Sequence, residues 1–124
     1  MPRLLASPTG RKIVMGQVFA HPERIPAPAA IADARAFAHA PGFEATFAVA
    51  SAPGAGFRGG AEVTCPVTIA WGDRDLLLLP RQARRAAAQL AGARLVTLAG
   101  CGHTPTWDDP EQVARVLLQG SAGG

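Results

Sequence analysis

The second half of the chain predicts an α/β fold with parallel strands. Three observations carry that expectation. Val67-Thr68-Ile69-Ala70-Trp71 is a short apolar and β-branched run of the kind shown by a strand buried on both faces. Arg81 to Ala91 has helical spacing, with Ala83, Ala87 and Leu90 facing one way and Arg81, Arg84 and Arg85 lying mainly on other sides. Arg94 to Ala99 is a second strand-like run, and another helical stretch follows it. The alternation of strand, helix, strand and helix yields parallel neighbours joined by a right-handed crossover.

The preceding elements are helical. Leu4, Leu5, Ile13, Val14 and Val18 allow a short helix after Gly10, which Gly16 weakens and His21-Pro22 and Ile25-Pro26-Ala27-Pro28 stop. A better helix is expected after Pro28, with Ile31, Ala34 and Ala38 on one stripe, ending near Pro41-Gly42. Phe43 and Phe47, one turn apart, predict a further helical piece whose rings serve packing. Residues 51–60, Ser-Ala-Pro-Gly-Ala-Gly-Phe-Arg-Gly-Gly, are rich in breakers and read as a flexible joint. A G-x-G-x-x-G pattern falls there at Gly54, Gly56 and Gly59, with Asp73 and Asp75 near the distance of a dinucleotide fold's acidic residue. Pro53 argues against a strand running in, and Gly60 with Pro66 leaves no room for a following helix, so no nucleotide cofactor is implied. The chain is expected to divide at this joint, with residues 1–60 helical and residues 61–124 forming the α/β part.

Past the first strand, Leu76 to Leu79 is an apolar loop leading to Pro80, and Gly92 ends the crossover helix. In Asp108-Asp109-Pro110-Glu111-Gln112, Asp109 as N-cap, Pro110 at the first helical position and Gln112 at the third predict a helix carrying Val113, Val116 and Leu117. Asp108 and Asp109 both read as caps. Gly120 is expected to end the helix and the remaining tail to fray.

A length of 124 residues fits one domain, although the 48% hydrophobic content includes much Ala. The net charge of +3 comes from basic residues that are nearly all Arg, spread from Arg3 to Arg115. Only Arg81, Arg84 and Arg85 cluster, without interleaved aromatics, so no nucleic-acid partner is expected. Cys65 and Cys101 cannot build a disulfide framework, and neither a signal peptide nor a membrane span is visible. The expectation is a soluble cytoplasmic protein without a membrane partner.

Two parallel strands end on the same edge of their sheet, so the loops holding Asp75 and His103 should emerge side by side, where α/β proteins bind ligands. An Asp that accepts the Nδ1 proton of a His fixes its tautomer and leaves Nε2 as a general base. Each residue also has a plainer reading, Asp75 as a solvated turn aspartate and His103 as a structural histidine. Asp73 reads as an exposed carboxylate. Cys101, two residues before His103, raises a cysteine nucleophile or a metal ligand, but a Cys-x-His pair has too few ligands for a structural zinc, and His21 and His39 show no matching spacing. It reads as small loop filler, and no metal is implied. Trp107 and leucines 76 to 79 could line an acyl pocket or pack under a loop.

Cys65-Pro66-Val67-Thr68-Ile69-Ala70-Trp71-Gly72-Asp73-Arg74-Asp75, then Leu98-Ala99-Gly100-Cys101-Gly102-His103, then Asp108-Asp109-Pro110 together resemble the C-terminal end of an α/β-hydrolase. That family places its catalytic acid in a G-x-x-D turn, here Gly72 to Asp75, and its histidine in a Gly-His loop after the last strand. The resemblance implies that Asp75 is the acid and His103 the base. It covers residues 62 to 119, and residues 1–60 more loosely resemble the later helices of the variable cap. The family's nucleophile sits on a G-x-S-x-G elbow earlier in the chain. Ser7, Ser51 and Ser121 occupy no such elbow, no Asp elbow of the dehalogenase and epoxide hydrolase kind is present, and the strands and donors of an oxyanion hole are missing.

The expected architecture is a partial α/β-hydrolase fold: two parallel strands with crossover and C-terminal helices, preceded by a helical cap-like segment. Completed by a missing N-terminal half, it would hydrolyse a small-molecule ester or amide through a covalent intermediate; alone it should turn over little. The alternative is a non-catalytic truncated relic, or a module that completes its sheet against another polypeptide or by self-association. A two-stranded parallel sheet leaves edges unpaired and faces uncovered.

Overall fold

The computed structural model describes residues 2–54 and 63–121. Gly56, Gly59 and most of the expected joint lie outside the described residues. In chain order the elements are α1 (Pro2–Leu5), α2 (Pro8–Met15), a 3-10 turn (Pro22–Arg24), α3 (Ala27–Ala38), α4 (Phe43–Ala50), β1 (Thr68–Gly72), α5 (Pro80–Gln89), β2 (Arg94–Leu98), α6 (Pro105–Asp108) and α7 (Pro110–Ser121). The result is a small α/β unit whose two parallel strands are flanked by N-terminal and C-terminal helices.

Local chemistry accounts for most of the boundaries. Ser7 caps α2, its Oγ accepting the Gly10 N–H at 3.0 Å, so that helix starts before Gly10 rather than after it. Pro28 lies inside the first turn of α3, where a missing N–H costs nothing, and the helix therefore begins at Ala27. Pro105 opens α6, a short helix that periodicity did not announce. Asp109 caps α7 as expected, its Oδ1 accepting the Gln112 N–H at 2.8 Å. Gly120 does not end α7, which continues to Ser121.

The apolar core sits in the first thirty residues, not in the sheet. Leu5, Met15, Phe19, Ile25 and Ala30 are buried together, with Val14, Val18, Ala29, Ile31 and Ala34 packed around them. Arg11 runs through this cluster, 6% exposed, and donates from Nε to Pro22 O, from one terminal nitrogen to Leu5 O and Ala6 O, and from the other to Glu23 O. One guanidinium thereby donates to carbonyls at the end of α1, beyond it and in the 3-10 turn, helping to replace the water lost on burial.

β1 and β2 pair in parallel from Thr68 opposite Arg94 to Gly72 opposite Leu98, and α5 packs on both strands. The expectation that β1 is buried on both faces is corrected. Ala70 is exposed, Thr68, Ile69 and Trp71 are half-buried, and only Gly72 is buried. The cause is coverage: α5 packs on the sheet, with Ala83 and the following Leu90 buried, but no third strand flanks it among the described residues, and Leu95 stays exposed. Phe43 and Phe47 do pack, but on each other and on Phe37, outside the core. Their rings stack on one another at 5.9 Å, Phe37 meets Phe43 edge-on at 4.8 Å, and all of α4 remains exposed. Among the described residues no helix is long and apolar enough to cross a membrane.

Candidate functional site

The site is built where the ladder of β1 and β2 runs out into two loops. Asp73 N donates to Leu98 O at 3.1 Å and Arg74 N to Cys101 O at 3.0 Å, so the turn after β1 stays bonded to the loop after β2. That approach requires glycine at position 72, where a Cβ would run into the Cys101 and Gly102 carbonyl oxygens. Gly100, at φ +70, supplies the left-handed bend that turns the second loop back, and its N–H donates to Asp73 Oδ1 at 2.7 Å. Asp73 is exposed, as expected, yet it also ties the two loops together. From below, Gln112 of α7 grips Ala99 twice, its Oε1 accepting from Ala99 N at 2.8 Å and its Nε2 donating to Ala99 O at 3.2 Å.

Asp75 is buried at 4% exposure, and its two oxygens have separate partners. Oδ1 accepts the Leu77 and Leu78 N–H groups at 2.9 and 2.8 Å. Oδ2 lies 3.1 Å from His103 Nδ1. The backbone of the leucine loop thus orients the carboxylate, and Trp71 Nε1 steadies that loop by donating to Leu78 O at 2.9 Å. His103 is one-third exposed, and its Nε2 makes no hydrogen bond to any described residue. A carboxylate facing Nδ1 favours the ring tautomer that carries its proton there and leaves a lone pair on Nε2, an arrangement able to accept and return a proton.

Asp75 and His103 line a cleft of about 210 Å³ whose walls are Ala70, Trp71, Gly72, Leu78 and Pro105. Of the four leucines expected near a pocket only Leu78 lines this cleft, and Trp107 does not. Leu76 instead borders a neighbouring hollow of about 420 Å³ with Lys12, Phe19, Pro22 and Arg74.

The other nucleophilic and carboxylate side chains are placed elsewhere. Cys101 is wholly buried, its Sγ 3.6 Å from Ala99 O. Burial first, and then the negative charges of Asp108, Asp109 and Asp73, push its thiol up, so it is neither accessible nor ionised for attack. Ser7 caps α2, Ser51 follows α4, and Ser121 Oγ donates to Leu117 O at 2.9 Å; none bonds His103. No group of three or more His, Cys, Asp and Glu able to hold a metal occurs among the described residues.

Asp108 corrects the sequence reading. It caps no helix; it is buried and accepts the N–H groups of Gly102, Ala20 and His21. Two adjacent aspartates before Pro110 hold one more carboxylate than a single N-cap can use, and that surplus was the available signal. Arg11 was missed for a similar reason, since its partners are backbone carbonyls without any sequence signature.

A family model described as "Alpha/beta hydrolase family" matches residues 2–116. Uncharacterized proteins of Mycobacterium tuberculosis and Mycobacterium bovis are 44% identical to the chain over 52 residues, which cover 42% of the chain and 15% of each relative. The match thus spans about 15% of the length of these curated relatives. No solved structure matches the chain significantly.

Proposed function

The chain belongs to the α/β-hydrolase family, and from that premise we propose that Asp75 and His103 are the acid and base of an ester- or amide-hydrolysing centre whose nucleophile is contributed by another polypeptide segment. In this reading residues 61–124 are a piece of the hydrolase core, and residues 1–60 a cap-like segment and joint. Nε2 of His103 takes the proton of the nucleophile as it attacks the acyl carbon, then returns it to the departing alkoxide or amine. In the second half Nε2 takes a proton from a water as that water attacks the acyl carbon, then gives it to the nucleophile as the acyl bond to it breaks, which releases the acid product and restores the nucleophile. Asp75 holds the ring in the required tautomer and stabilises the imidazolium formed in each half. The apolar walls supplied by Trp71, Leu78 and Pro105 suit an acyl or alkyl group rather than a charged one.

The single observation that carries this reading is the contact of His103 Nδ1 with Asp75 Oδ2 at 3.1 Å, made by a carboxylate whose other oxygen is fixed by two backbone amides. Site-resolved acylation by a small electrophilic carbonate, followed by mass spectrometry of the full chain, tests it. His103 should react faster in the unsubstituted protein than in Asp75→Asn, and equal rates would remove Asp75 from the role. The chain alone should hydrolyse activated esters at the background rate. A burst of product that disappears in His103→Ala would place a nucleophile within this chain and overturn that part.

A second reading, a non-catalytic module that completes its sheet against another polypeptide or a second copy, is favoured by the two-stranded sheet with its half-exposed face. Size-exclusion chromatography with thermal unfolding separates the two. A compact monomer with one cooperative transition would count against the module, whereas self-association or a transition without cooperativity would support it.

A further inference from the structure

His103 is held between two fastened neighbours. Gly102 N donates to Asp108 Oδ2 at 2.8 Å, and Thr104 N donates to Val18 O at 3.0 Å. The same Asp108 Oδ2 accepts from Ala20 N at 3.0 Å, and Oδ1 accepts from His21 N at 2.7 Å. One carboxylate therefore joins the histidine loop to the segment that follows α2. The two backbones run so close that a Cβ on Gly102 would lie 2.7 Å from Ala20 N and 2.9 Å from Val18 O. Asp108 is buried and forms no ion pair among the described residues. A carboxylate taken out of water without a cation needs donors in its place, and three amides from two distant segments provide them.

We infer that Asp108 is a positioning residue for His103. By fastening Gly102 to residues 20 and 21, it sets the Cα–Cβ direction from which the imidazole reaches Asp75. The inference rests on the reading of Asp75 and His103 as an acid and base pair. Without this fastening the loop has glycines at 100 and 102 and a wide choice of backbone conformations, and a displacement of about 1 Å is enough to spoil a productive contact. Asp109 already caps α7, so the helix start does not need the carboxylate of Asp108.

Nitrogen-15 NMR of the full chain reads which ring nitrogen of His103 carries the proton, and the comparison uses Asp75→Asn and Asp108→Asn. In Asp75→Asn the new amide group faces the imidazole as a donor, so the Nδ1–H tautomer should be lost. In Asp108→Asn one acceptor oxygen becomes a donor, so either His21 or the Gly102 and Ala20 pair is left unpaired, and the Nδ1–H tautomer should be lost there too. Loss in both variants, with the methyl signals of the N-terminal core unchanged, supports the inference. Loss in Asp75→Asn but not in Asp108→Asn, even with a lowered melting temperature, overturns the positioning role and leaves the pair standing. No change in either variant overturns the pair itself and the inference with it. Should Asp108→Asn fail to fold, amide exchange in the unsubstituted chain decides. Gly102, Ala20 and His21 protected as one unit supports the fastening, and Gly102 exchanging freely beside protected Ala20 and His21 overturns it.

Discussion

The helical first quarter and the sheet are built to different standards of closure. Leu5, Ile25 and Ala30 are within 1% of full burial, and Arg11 donates to the Leu5 and Pro22 carbonyls. In the sheet, only the last residue of each strand, Gly72 and Leu98, is buried. Yet the candidate site lies at the end of the open sheet. The contrast teaches that order in that site does not come from a core beneath the strands. It comes from backbone hydrogen bonds and from the docking of the histidine loop onto the closed helical part through Val18, Ala20, His21 and Asp108.

The largest expected effect tests that contrast directly. Phe19→Ala should cost about 3–5 kcal/mol of stability, because it opens a cavity in the closed core. Leu95→Ala on the open sheet should stay within about 0.5 kcal/mol. Denaturant titration of both variants checks this, and similar costs would abolish the distinction. Next in size, Gly72→Ala should cost about 2–3 kcal/mol, because the new methyl group meets backbone carbonyls that cannot swing aside. It should also separate the two loops, so that site-resolved acylation of His103 falls with the stability loss.

A smaller effect sharpens the picture of the histidine loop. An alkylating reagent should label exposed Cys65 well before Cys101, whose thiol is buried and pushed up by burial and by the neighbouring carboxylates. Equal rates would mean that the loop opens as freely as the exposed segment around Cys65. The smallest effect concerns Asp109. The Gln112 N–H it accepts, opposed only by partial desolvation, holds its carboxyl below the usual range. Its folded-state value lies below the unfolded one, so its contribution is complete above the unfolded value and is lost as pH falls through the folded value. The melting-temperature gap between the unsubstituted protein and Asp109→Asn should therefore be present at neutral pH and close as the solution is acidified below about pH 4.

The fold was legible to different depths along the chain. β1, α5, β2 and α7 could be read because each carries a local signature: a β-branched run, a proline in the first turn, a charged face opposite an alanine face, an aspartate cap. The extent of burial could not be read. Val67 to Trp71 has the composition of an interior strand whether or not neighbours cover it, and coverage depends on elements that lie elsewhere. The paired phenylalanines of α4 likewise have core composition and an exposed position.

The sequence by itself determined the order of β1, α5, β2 and α7, and with it the sheet edge from which the loops of Asp75 and His103 emerge. Those follow from local propensity and from the fixed hand of a parallel crossover. Only the tertiary structure decided that the core lies before residue 31, that Arg11 and Asp108 are buried, and that Asp108 reaches across 87 and 88 residues to His21 and Ala20. The reason is physical. Every residue except proline offers the same backbone amide and carbonyl, so a side chain that bonds backbone has no complementary partner written anywhere in the sequence. Its partner is defined only when the chain has folded and brought one segment against another.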